Sequence, residues 1–116
     1  MKALFATLLL LAPLTSQAGC AATDFIVQNF EVSATHGDAM NMKGALVNHC
    51  GEAAAAQLQI EAKDASGKVL QTKKGWPAGT TNIAPGQSAE FNLGRLFRYD
   101  TAMQTYTVSI VSVRSW

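Results

Sequence analysis

The sequence predicts an all-β protein, built as an antiparallel β-sandwich. Apolar and polar residues alternate at period two through most of the chain, the signature of half-buried strands. Turn signals built from Gly, Pro, Asn and Asp recur at intervals of about 8–12 residues, the spacing of a sandwich made of short strands. Size agrees: removing a candidate leader of residues 1–18 from the 116 leaves 98, enough for one domain and no more.

The leader is read first. Lys2 is followed by an apolar run from Ala3 to Leu14, shorter than the roughly 20 residues a transmembrane helix needs. One positive charge, a short apolar core and then small residues match a secretory signal peptide. Pro13 ends the run, and Ser16 and Ala18 stand at −3 and −1 of a cut before Gly19. A lipoprotein cut before Cys20 is the rival reading, and Gln17 occupies the position where that motif wants an aliphatic residue. Export implies an oxidising compartment, where two cysteines pair. Cys20 and Cys50 would close a loop of about 31 residues, worth about 3–4 kcal/mol in the chain-entropy model. A lipidated Cys20 beside a free Cys50, with membrane attachment through the lipid, is the alternative.

The strands follow in order. In Phe25–Ser33 both alternating sets carry apolar groups, so this strand is expected to be covered on both faces along most of its length. Thr35–Asp38 reads as a turn. Met40 to Asn48 puts Met40, Met42, Gly44 and Leu46 on one face, with Asn41, Lys43, Ala45 and Val47 on the other. Ala53 to Thr72 is ambiguous, because Ala, Gln, Glu and Leu favour helix by propensity. Period two is nevertheless clear in Ala56, Leu58, Ile60 and Ala62, and no N-cap residue precedes the run. The prediction is therefore a hairpin turning at Asp64–Gly67, with Gly67 at positive φ. Lys73 to Asn82 reads as a loop from its Gly and Pro content. Pro85-Gly86 turns into a strand carrying Ala89, Phe91 and Leu93, and Gly94–Gln104 is irregular or a single helical turn. A last strand sets Tyr106, Val108 and Ile110 inward. The phase slips at Val111 and Val113, which predicts a bulge or a strand buried on both faces.

Gly44 to Phe91 resembles the FxLYD-type immunoglobulin-like domains of bacterial envelope and secreted proteins. Gly44, Leu46 and Asn48 stand in the family's Gly-x-Val-x-Asn element, Asp64 and Gly67 in its turn, and Ile83, Pro85, Gly86 and Phe91 in its Leu-x-Pro-Gly and Phe element. The naming motif is eroded, with Ile60, Ala62 and Lys63 where Phe, Leu and Tyr would be. The resemblance implies an immunoglobulin-like sandwich of about seven strands and brings no catalytic residues with it.

Composition bounds the chemistry. Without Lys2, the nine Lys and Arg become eight against eight Asp and Glu, a formal charge of zero. No basic patch or acidic tail emerges, which argues against nucleic acid and anionic membrane as partners. There is no Gly-x-Ser-x-Gly, no phosphate-cradling loop and no close carboxylate pair. His49-Cys50 offers no nucleophile if Cys50 is oxidised. The expectation is a non-enzyme without a cofactor.

Two binding candidates stand out. One is Lys73, Lys74 and Trp76, an aromatic flanked by cations and held by Pro77, with the alternative that Trp76 covers the open end of the sandwich. The second is Arg95, Phe97, Arg98 and Tyr99, which combine interface-prone residue types. A different class of function is copper(I) binding by His36, Met40, Met42 and His49, since imidazole and thioether ligands suit that ion. Against it, Met40 and Met42 share a face with Leu46 and read as core packing. The sequence thus points to an exported binding or accessory module of the cell envelope, periplasmic or secreted, acting by protein–protein contact on an envelope or secreted partner.

Overall fold

The computed structural model of the chain describes residues 19–34 and 40–116. The candidate signal peptide, the turn at 35–38 and His36 lie outside the described residues. Six strands are present among the described residues: β1 Phe25–Ala34, β2 Met40–Asn48, β3 Ala55–Lys63, β4 Val69–Gly75, β5 Ser88–Asn92 and β6 Thr105–Arg114. They form two antiparallel three-stranded sheets, ordered β1-β2-β5 and β4-β3-β6. These six strands in two antiparallel sheets fit the expected sandwich of about seven.

The two sheets share one core. Met42, Leu46 and Phe91 from the first meet Leu58, Ile60 and Ala62 from the second. β2 and β3 are central in their sheets and their inward residues are the most deeply buried, Met42, Leu46 and Leu58 at 0 %. Gly44 sits opposite Phe91 across the β2–β5 ladder, and a Cβ there would come within 2.9 Å of the Phe91 ring. The missing side chain leaves the space the ring fills.

Pattern decided the ambiguous segment correctly. β3 and β4 are strands, paired through a turn in which Gly67 has φ 90°. Asp64 organises that turn: its Oδ1 accepts from the Ser66 hydroxyl at 2.6 Å, from Ser66 N at 2.9 Å and from Lys68 N at 3.0 Å. A carboxylate with three donors around it resists protonation, and the Ser66 hydroxyl is the largest influence lowering its pKa below the ordinary value.

Two bulges explain the slips in alternation. In β6, Ile110 pairs with Leu58 and Ser112 with Gln57, so Val111 is the extra residue and is 42 % exposed. In β1 the expectation of burial on both faces is corrected. Gln28 pairs with Ala45 and Glu31 with Lys43, so Asn29 and Phe30 together oppose Gly44. Asn29 takes φ 55° to make this turn, a conformation Asn tolerates better than most residues. The bulge switches the inward phase from Phe25 and Val27 to Phe30 and Val32, and all four pack on the core. One buried face changes phase halfway, while Ile26 on the opposite face stays exposed.

Candidate functional site

The predicted cysteine pair is joined. Cys20 and Cys50 form a disulfide with Cα atoms 5.7 Å apart, 30 residues apart in sequence. It ties the residue stretch before β1 to the turn after β2. Beside it lies Asn48, a wholly buried polar residue. Its Nδ2 donates to the carbonyls of Glu52 at 2.9 Å and Ile83 at 2.7 Å, and its Oδ1 accepts from Cys50 N at 2.7 Å. Its backbone accepts from Gly86 N and donates to Gln87 O. The side chain therefore bonds two loops at once, the one after β2 and the one before β5, which is why an amide is tolerated in the core.

The described copper candidates, Met40, Met42 and His49, do not come together. Met40 and Met42 are buried, 6 % and 0 % exposed, among the apolar residues of the core. His49 is exposed at the other end of β2, about 23 Å along the strand from Met42. Among the described residues, the one grouping of three potential ligands is Cys20, Asp24 and Cys50, and both its sulfurs belong to the disulfide.

Lys73 and Lys74 lie in β4, not in a loop, which corrects the sequence reading. They look like loop residues because Lys-Lys-Gly carries no apolar alternation, yet an edge strand needs little of it. Their side chains part company. Lys73 is in register with buried Ile60 and takes the core-side face, whereas Lys74 is in register with Gln59 and takes the outer face. Trp76 joins neither. Its ring meets Trp116 edge-to-face at 5.4 Å, Arg114 stacks over Trp116 at 4.3 Å, and Asn82 holds the Trp116 backbone by two hydrogen bonds. Sequence reasoning missed Trp116, because its contact with Trp76 spans the full second half of the domain and no local signal announces it.

Lys73 is brought instead to the second predicted cluster. The crossover after β5 is locked in place by Asn92, whose Oδ1 accepts from Met42 N and Gly94 N, each at 3.0 Å. Gly94 is buried against the Met40 carbonyl, where a Cβ would collide with the backbone. A single helical turn, Gly94–Leu96, then presents Arg95 outward. Phe97 is buried at 5 % and plugs the core, with Leu96 half-buried beside it. Gln71 on β4 grips the Arg98 backbone from both sides, its Nε2 donating to Arg98 O at 2.8 Å and its Oε1 accepting from Arg98 N at 3.4 Å. Tyr99 is half-buried and close enough to Tyr106 to add to the burial that raises the Tyr106 pKa.

The result is a cleft of about 440 Å³ between the β4 edge and the crossover, lined by Gln71, Lys73, Arg95, Leu96, Phe97 and Arg98. Three of six lining residues are cations and none is an acid. Among the described residues no helix is long and apolar enough to cross a membrane. Comparison of the chain with protein-family models, curated proteins and solved structures finds no match.

Proposed function

We propose that this chain is an exported, non-enzymatic binding or accessory module that makes protein–protein contact through the margin formed by β4 and the Gly94–Tyr99 crossover. The observation that carries the reading is the cleft, where Lys73 from one sheet and Arg95, Phe97 and Arg98 from the crossover line a single concavity. Arginine and aromatic residues are over-represented where protein interfaces hold most of their energy. The disulfide supports work in an oxidising compartment. The FxLYD-type kinship belongs to the same proposal, and the positions that suggested it have structural tasks: Gly44 admits the Phe91 ring, Asn48 ties two loops, Asp64 and Gly67 make the turn.

Site-specific photocrosslinking in cells producing the full chain tests the reading. A benzophenone side chain replacing Arg95 should give discrete protein adducts, and the same group replacing Lys74, on the outer face of the same margin, should not. Absence of protein adducts from position 95, or the same pattern from both positions, would sink the proposal.

A further inference from the structure

An edge strand offers unpaired N–H and C=O groups to any extended chain that reaches it. Among the described residues the edges are β1 and β5 in the first sheet, β4 and β6 in the second. Three of them carry a deterrent. β1 is bent by the bulge at Asn29 and bears Glu31, β4 bears Lys73 and Lys74, and β5 is five residues long with Glu90 among them. β6 is different. From Thr105 to Ile110 it pairs with β3 without interruption, and from Thr105 to Val113 it holds no charge, no Pro and no Gly. The flank beside it is also the least covered part of the core. The segment leading into β1 packs on β6, and a Cβ on Gly75 of β4 would come within 3.0 Å of Leu93 and 3.2 Å of Leu96, so β1 lies over β6 and β5 over β4. Leu58 and Ile60 of β3 are buried, whereas Tyr106, Val108 and Ile110 of β6, like Phe30 and Val32 of β1, are half-buried.

We infer that β6 pairs with β6 of a second copy of this chain, antiparallel about a two-fold axis at Val108. A two-fold contact needs a patch complementary to itself, and this strand is one. Residues directly opposed in an antiparallel pair share a face. In this register Tyr106 of each copy meets Ile110 of the other and Val108 meets Val108 on the core side, while Thr107 meets Ser109 on the outer side. Aromatic with β-branched and hydroxyl with hydroxyl are favourable cross-strand pairs, and no like charges are opposed. The same operation at β4 would gather the lysines of both copies. Pairing at β6 makes one continuous sheet, ordered β4-β3-β6-β6-β3-β4, and sets the half-buried flank of one copy beside that of the other. The inference goes beyond the proposed contact margin and does not rest on it, because β4 is the opposite edge of this sheet and stays free. Six paired residues a side make a small interface, so pairing depends on concentration.

Sedimentation velocity and amide exchange on the folded, disulfide-bonded product of the full chain provide the test. Between about 10 μM and about 1 mM chain, the mass should rise from one copy toward two. The Thr105–Ile110 amides that point away from β3 should exchange about tenfold more slowly or better at the high concentration, and those of Gln71–Lys74 should not change. Ser109→Lys, an exposed change on the outer face, sets two like charges diagonally across the axis and should weaken pairing about tenfold or more. Thr72→Lys, exposed on the outer face of β4, should weaken it less than about twofold. If Ser109→Lys folds poorly, the concentration dependence of exchange in the unaltered chain decides alone. A single copy at every concentration would overturn the inference, whether the β6 amides are open, covered by another segment of the same chain, or covered by a different protein that copurifies. A dimer that leaves β6 exchange unchanged, or that Thr72→Lys weakens as much as Ser109→Lys, would overturn it as well.

Discussion

Asn48 and Arg95 are both polar residues in chain segments that leave the first sheet, and the fold treats them oppositely. Asn48 is entirely enclosed, and its side chain makes three hydrogen bonds to loop backbone beside the disulfide. Arg95 is exposed, and its one described bond runs at 3.4 Å to a neighbouring carbonyl. Around the cleft it is backbone that is held, by Asn92, Gly94 and Gln71, while Lys73 and Arg95 stay exposed. A polar group that holds the fold cannot be removed without leaving its partners buried and unpaired. A polar group displayed by the fold can be removed almost freely, and only such a group is available to a partner.

The contrast predicts a graded set of effects on stability. Asn48→Ala should cost most, about 3–5 kcal/mol in chemical denaturation, since two carbonyls and one N–H lose their partner in the interior. A loss under about 1 kcal/mol would mean that water enters and the enclosure is not real. Next comes the disulfide. Replacing Cys20 and Cys50 by Ala should cost about 3–4 kcal/mol from loop closure, with an unchanged far-ultraviolet spectrum at low temperature. Gly94→Ala should cost about 1–3 kcal/mol and also shift amide resonances of Arg95–Arg98, because the crossover must lift off Met40 to make room. If the resonances stay put, the crossover is not seated as described.

Two smaller effects sharpen the display side. The Asp64 carboxyl is held below its ordinary value by the Ser66 hydroxyl and the Lys68 and Ser66 amides, so its contribution is present above the unfolded-state pKa. That contribution is lost as pH falls below about 4 and through the lowered folded-state value. An NMR titration should place its midpoint below the ordinary aspartate value, and Ser66→Ala should raise it. Smallest of all, Lys73→Gln and Arg95→Gln should each change stability by less than about 0.5 kcal/mol. A larger loss would make them structural and remove the premise of the binding reading.

Most of the architecture is legible in the sequence because strands facing one core leave a period-two record. β2 and β3 read cleanly, as do the turns at Gly67 and Pro85-Gly86, and the slip at Val111 marks a bulge that the structure contains. β1 misled because a bulge at Asn29 imitates a strand covered on both sides, and only the register against β2 separates the two cases. β4 was cut short because Leu70 is its last apolar residue, and Gln71–Gly75 leave no alternation to read. Of the candidate sites, the disulfide was legible from two cysteines behind a candidate export signal. The convergence of Lys73 with Arg95–Arg98 was not, since about two dozen residues and two turns separate them and only strand register puts Lys73 on the facing side. The same distance hid the pairing of Trp76 with Trp116.

The Cys20–Cys50 link has a mechanical consequence. β1 is an edge strand, held on one side only, and a pull on its N-terminal end would peel its ladder from β2 one pair at a time. The covalent bond lies ahead of the first of those pairs and leads to the turn after β2. Tension applied at Gly19 therefore bypasses β1 and loads the junction of β2 and β3, where the Asn48 bonds and two central strands must yield together. An edge strand that would open like a zipper is thereby shielded by a strut.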